Sequence, residues 1–133
     1  MITITEKDVK KSDLKHTVSN NFYFSSSNDK MTFNYDFYEI RDDIYLIGYM
    51  IKYILPTPSP EIEYIDIYIL SNFRRRGLGS KALNKYIKTI SKTKVVLIKT
   101  TKPEKISFLK KNGFTQDNDY IYKSLYRYEC NER

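Results

Sequence analysis

Phe73-Arg74-Arg75-Arg76-Gly77-Leu78-Gly79-Ser80 is the stretch that organises the rest of the chain. It follows a run with the pattern of a strand and opens a run with the pattern of a helix. A helix N-terminus leaves backbone N–H groups without intrahelical partners and carries the positive end of the helix dipole. Gly77 and Gly79 would let a phosphate approach those N–H groups closely. Ser80 adds a hydroxyl, and three arginines add formal charge. The stretch predicts a diphosphate cradle, against the simpler alternative of a basic turn that merely starts a helix.

One residue separates the two glycines, whereas a P-loop needs four between them and a following Lys-Ser/Thr pair. No third glycine completes the dinucleotide fingerprint. Upstream, Glu61–Leu70 carries Ile62, Ile65, Ile67, Ile69 and Leu70 and reads as a central strand. Downstream, Leu78, Ala82, Leu83, Tyr86, Ile87 and Ile90 form a helical stripe within Leu78–Ser91. Val95–Lys99 is then a second buried strand. Strand, helix and strand at this spacing form a crossover unit, so the two strands are expected to be parallel.

Further from the turn, Ile2–Thr5 reads as a first strand and Glu6–Val18 as a helix holding the only histidine, His16. Ser19–Lys30 is a polar loop interrupted by Phe22-Tyr23-Phe24. Phe33–Ile40 and Ile44–Leu55 read as a hairpin about an Arg41-Asp42-Asp43 turn. Gly48 suggests a bulge or a close backbone approach. Pro56-Thr57-Pro58-Ser59-Pro60 ends the second of these strands. After Val95–Lys99, Thr101-Lys102-Pro103-Glu104 fits a capping box with proline in the first turn, and the helix it starts ends at Asn112-Gly113. Phe114–Gln116 and Tyr120–Tyr128 read as two closing strands.

The 133 residues suffice for one domain with a core. No apolar run approaches the ~20 residues that span a membrane. Met1-Ile2-Thr3-Ile4-Thr5-Glu6 lacks the zones of a signal peptide. The single cysteine, Cys130, reads as structural or incidental, and a cytoplasmic setting is expected. Of the net charge of +7, residues 1–70 hold 7 Lys/Arg against 11 Asp/Glu, while residues 71–133 hold 16 against 5. A basic C-terminal half suits a polyanionic ligand, and an acidic N-terminal half suits a cationic one. The solvated face of one helix (Lys81, Lys85, Lys88 and Lys92) explains part of the excess, but not the arginines.

Arg74, Gly77 and Gly79 resemble the R/Q-x-x-G-x-G/A acyl-CoA motif of the GNAT N-acetyltransferase superfamily. Ile106-Ser107-Phe108-Leu109-Lys110-Lys111-Asn112-Gly113-Phe114 resembles that family's fourth-helix segment, a helix running into Gly-Phe. With the order of elements, the resemblance covers nearly the whole chain, 1–133, as one acyltransferase domain. It implies an α/β (α+β) fold: a single mixed, mostly antiparallel sheet of six or seven strands, flanked by helices and splayed at the central parallel pair.

It further implies acetyl-CoA as co-substrate, no metal, and transfer of an acetyl group to a primary amine by direct attack in a ternary complex. Ile69 and Leu70 would offer backbone groups to the pantetheine arm and the thioester oxygen. Arg74, Arg75, Arg76, Gly77, Leu78, Gly79 and Ser80 would hold the pyrophosphate. Glu63 stands where some members carry a catalytic glutamate, on a strand face with Ile65 and Ile67, where partial burial would suit a base. The bland alternative leaves Glu61 and Glu63 in water at a strand end. Leu109 replaces the tyrosine that many members use as an acid. The thiolate therefore leaves unaided, a tyrosine of 120–128 substitutes, or the chain binds acyl-CoA without transfer. Edge-strand homodimers are common in the family. A basic nucleic-acid-binding module is the rival from another class, but no recognition motif supports it.

Overall fold

The computed structural model describes residues 1–7, 34–54, 61–90, 95–117 and 125–130. Its strands are β1 (Ile2–Lys7), β2 (Asn34–Asp42), β3 (Tyr45–Ile54), β4 (Ile62–Ile69), β5 (Val95–Lys99), β6 (Thr115–Gln116) and β7 (Leu125–Glu129). Its helices are α1 (Leu78–Thr89) and α2 (Pro103–Lys111). Among the described residues the strands form one seven-stranded sheet in the order β1-β2-β3-β4-β5-β7-β6. Only β4 and β5 run parallel; every other pair is antiparallel. This is the mixed sheet with a central parallel pair that the sequence predicts.

The first strand is longer than expected and takes in Glu6 and Lys7. The remainder of the expected helix with His16, and the polar loop with Phe22-Tyr23-Phe24, lie outside the described residues, as does Lys92. The hairpin turn is a correction. Arg41 and Asp42 stay in β2, paired with Leu46 and Tyr45, and the reversal falls at Asp43-Ile44. Asp43 adopts φ 54°, which aspartate tolerates better than most residues. The Arg41 guanidinium donates to the Ile44 carbonyl at 3.1 Å and to Glu39, holding Arg41 in the ladder.

Opposite Gly48 the β2–β3 register slips: Ile40 pairs with Gly48 but Arg41 with Leu46, leaving Ile47 as the extra residue of a bulge. The slip turns Ile47 into the core, where it is fully buried beside Ile40, Met50, Ile65 and Ile67. The same core takes Ala82, Leu83 and Tyr86 from α1, and Leu109 from α2 with Phe114 just beyond it. Burying a side chain such as Leu83 contributes about 1.5–3 kcal/mol. On the other sheet face, Phe37, Ile51 and Tyr53 pack with Tyr35, Tyr49, Tyr64 and Tyr68. A good share of the tyrosines thus builds one face and is not merely compositional.

The expected capping box of α2 is not formed. Pro103 takes the first helical position, which makes Lys102 the N-cap, and no side chain caps the end. Thr100 Oγ1 accepts the Lys102 N–H at 3.1 Å instead. The C-terminus behaves as expected. Gly113 sits at φ 89°; the Phe114 N–H donates to the Leu109 carbonyl (2.9 Å) and the Gly113 N–H to that of Lys110 (3.2 Å). This is a Schellman closure with its apolar contact, Leu109 and Phe114 sharing one core.

Gly48 has a steric reason to be glycine, since a Cβ there would collide with the Tyr68 carbonyl oxygen of β4. Gly48→Ala is expected to push β3 from β4 and cost about 1–3 kcal/mol, as overpacking does. Urea unfolding checks this; an unchanged midpoint would show that the approach is not tight.

Candidate functional site

Strand β4 has two different neighbours along its length. Ile62, Glu63 and Tyr64 pair with Val95, Val96 and Leu97 of β5, and the pairing stops there. Ile65 to Ile69 pair with Lys52 to Gly48 of β3. The sheet therefore opens between β4 and β5 beyond Tyr64. The backbone facing this cleft follows from the antiparallel ladder. The Leu70 N–H donates to the Ile47 carbonyl at 2.8 Å, so Leu70, Tyr68 and Asp66 turn their N–H and C=O groups toward β3. Ile65, Ile67 and Ile69 turn theirs the other way, into the cleft.

This separates two residues that the sequence treats alike. Ile69 faces the cleft. Leu70 does not, because its N–H is already spent on β3, and it drops out as a donor to the thioester oxygen. Ile67 replaces it as a cleft-facing position.

At the wide end of the cleft the chain makes a 3-10 turn at Ser71–Phe73 and passes through the arginines into α1. Arg74 Nε donates to the Ile69 carbonyl at 2.7 Å, and its guanidinium lies over the Tyr68 ring, 4.9 Å from the centroid. Arg75 is exposed with φ 63°. Arg76 is exposed beside the Phe73 ring. Gly77 is the N-cap of α1 with φ 75°, a left-handed conformation that glycine adopts freely, and it brings no side-chain cap. The first intrahelical bond runs from the Lys81 N–H to the Gly77 carbonyl, so the N–H groups of Leu78, Gly79 and Ser80 precede the helical ladder.

Gly79 is needed for a different reason from Gly77: a Cβ there would press on Phe108 of α2 and Ile69 of β4, at 3.1 and 3.2 Å. Asn112 Nδ2 donates to Ser80 Oγ at 3.1 Å and to the Phe108 carbonyl at 2.8 Å. The Ser80 hydroxyl hydrogen is thereby left to point elsewhere. Asn112 is a residue the sequence reading missed as a contributor here; only the packing of α2 against the start of α1 brings it in.

Glu63 lies at the closed end of the cleft, on the face of Ile65 and Ile67, and its side chain is only 14% exposed. It is therefore not a strand end in water, while Glu61 is exposed. Lys52 Nζ pairs with Glu63 Oε1 at 3.2 Å. Tyr86 of α1 is buried, with its hydroxyl in the field of Glu63. Burial first, then the Glu63 charge, holds the Tyr86 phenol well above the usual tyrosine range. Tyr38 is pushed up to about 12 by burial and then by Asp36, Glu6 and Glu63. Both phenols are neutral hydroxyls at ordinary pH, facing an acidic group of residues. Leu109 is fully buried in the core and carries no chemistry.

The solvated helix face was predicted only in part. Lys81 and Lys88 are exposed on α1, but Lys85 Nζ donates to the Ile2 carbonyl and ties the helix to β1. Among the described residues no cluster of metal-ligating side chains occurs, and no helix is long and apolar enough to cross a membrane.

Comparison with known proteins bears on the whole chain. An acetyltransferase from Thermus thermophilus superposes with a TM-score of 0.69 at 15% identity, covering 98% of this chain and 97% of that one. An acetyltransferase of the GNAT family from Staphylococcus aureus Mu50 gives 0.60 at 14%, covering 97% and 99%. The aminoglycoside acetyltransferase AAC(6')-Ib in complex with coenzyme A gives 0.62 at 14%, covering 96% and 95%. Likeness at such identities speaks for the fold alone. A search of curated protein sequences finds no match. The sequence profile of the Acetyltransferase (GNAT) family matches residues 6–114, most of the chain, so this protein belongs to the GNAT acetyltransferase family.

Proposed function

We propose that the chain is one catalytic domain that transfers an acetyl group from acetyl-CoA to a primary amine by direct attack within a ternary complex. The observation that carries this reading is the meeting of two sets of backbone groups, one ahead of the helical ladder and one on a strand edge beyond its last neighbour. The first N–H groups of α1 stand at the wide end of a cleft whose β4 edge presents Ile65, Ile67 and Ile69. A diphosphate suits the first set, since N–H groups and the helix dipole favour an anion there. An extended arm carrying amides suits the second, adding to β4 as a short strand would. The aminoglycoside enzyme solved with coenzyme A supports the choice of ligand.

On this reading Gly77 to Ser80 hold the pyrophosphate, Arg75 and Arg76 supply charge, and Arg74 releases or shares the Ile69 carbonyl as the arm enters. The thioester carbonyl shares the Ile67 N–H with Asp66 Oδ1, and a donor there stabilises the oxyanion. Glu63 takes the amine's proton directly or through water, at the closed end of the cleft. Noncatalytic acyl-CoA binding is the second reading, favoured by the burial of Leu109 where an acid would stand.

Arg75→Ala/Arg76→Ala should weaken CoA by roughly tenfold, as expected for two exposed charge contacts of up to about 1 kcal/mol each. Dephospho-CoA should lose less and a pantetheine fragment least, by calorimetry. Equal losses for all three would argue for disturbance of the turn itself.

Glu63→Gln should lower turnover by roughly 10²–10⁴, the range for a general base, with acetyl-CoA affinity little changed. The deficit should shrink as pH rises toward the pKa of the acceptor amine, because more amine then arrives unprotonated. A thiol-release assay over a panel of amines measures both. Wild-type turnover by the glutamine variant at neutral pH would remove Glu63 from the mechanism, and no turnover by the parent with any amine would favour the second reading.

A further inference from the structure

A leaving thiolate needs something to receive its charge, and the residue that many family members would use is missing. Leu109 is fully buried and packs with Phe114 beneath the helix end. Helical side chains lean toward the helix N-terminus, and positions four apart share a face. The residue that shares the face of Leu109 one turn earlier is Lys105.

Lys105 reaches across to β4. Its Nζ contacts Asp66 Oδ1, and the same oxygen accepts the Ile67 N–H at 2.8 Å. An ammonium, a carboxylate and a cleft-facing N–H thus converge at one point, just past the last β4–β5 pair. The side chains of Lys105 and Asp66 are 16% and 2% exposed. Burying such a pair strips both ions of water, and replacing buried ion pairs by apolar residues of similar volume often costs no stability. The position of the pair, not its contribution to stability, is therefore what calls for a role.

Resting on the acyltransferase reading above, we propose that Lys105 is a catalytic residue whose ammonium stabilises the CoA thiolate as it leaves, with Asp66 positioning it. The amine nitrogen forms a bond to the thioester carbon, and the carbonyl electron pair moves to oxygen. When that pair returns, the C–S bond breaks and its electrons stay on sulfur. The amine's proton goes to Glu63 or water, and the sulfur is reprotonated from solvent. Lys105 acts by its charge, and no proton passes from it to the sulfur. Asp66 faces the ammonium from β4; Lys102 at the N-cap and Glu104 on α2 are exposed.

Thiolate absorbance of CoA bound to the protein, followed against pH, tests this. An ammonium within reach should lower the thiol pKa by about one unit or more relative to free CoA. Lys105→Arg should retain the shift. Lys105→Met alone would strand a buried carboxylate, so Lys105→Met/Asp66→Asn is the informative variant. It should return the thiol to its free value and lower kcat at least tenfold, with KM for acetyl-CoA little altered. Asp66→Asn alone should move the thiol pKa the opposite way from Lys105→Met, whereas a purely structural pair would give no such opposition. A bound thiol that titrates identically in the parent and the double variant overturns the role of Lys105, and acetyl-CoA turnover by the parent would still uphold the acyltransferase reading. A parent that binds no CoA would overturn both.

Discussion

Strand β4 cannot pair fully on both edges. It bonds to β5 up to Tyr64 and to β3 from Ile65 onward. Backbone N–H and C=O groups are costly to leave unpaired in a protein interior, so an opening in the middle of a sheet needs an occupant or a compensating side chain. Here Asp66 takes the Ile67 N–H and Arg74 takes the Ile69 carbonyl. The Arg74 bond is exposed and open to displacement by a ligand, while Asp66 is buried against Lys105. The cleft is thus held open and satisfied at the same time.

The surrounding packing keeps it so. Beside the β2–β3 bulge at Ile47, the β3 backbone lies close to β4 at Gly48 and forms one wall. Helix α1 is drawn onto the sheet by Ala82, Leu83 and Tyr86 and tied to β1 by Lys85. Helix α2 meets the start of α1 through Phe108 against Gly79 and Asn112 against Ser80. The turn that carries the arginines is therefore set by three elements far apart in the chain. Glu63 is placed by the same opening: the last residues paired with β5 are those that bring it to the closed end.

Much of this was legible beforehand. Apolar periodicity located β4, α1 and β5, and the crossover rule made the two strands parallel. Gly113 announced the end of α2 through the conformation that a C′ residue needs. The R-x-x-G-x-G spacing and the run into Gly113-Phe114 pointed to the family. Boundaries were less legible. Arg41 and Asp42 look like turn residues and stay in a strand because the bulge and the Arg41 contacts keep them paired. Thr101 looks like a cap and is not one because Pro103 shifts the N-cap to Lys102.

What the sequence determined by itself was the order of the described elements and the backbone turn into α1, since both rest on local periodicity and on the few residues that tolerate special backbone angles. It could not distinguish Ile69 from Leu70, because which neighbours a strand bonds to depends on its register with β3, whose paired residues lie some twenty positions away. Nor could it join Lys105 to Asp66 or Asn112 to Ser80, pairs separated by 39 and 32 residues. Those contacts belong to the tertiary structure, because only the packing of α2 across the opened sheet brings their side chains within reach of one another.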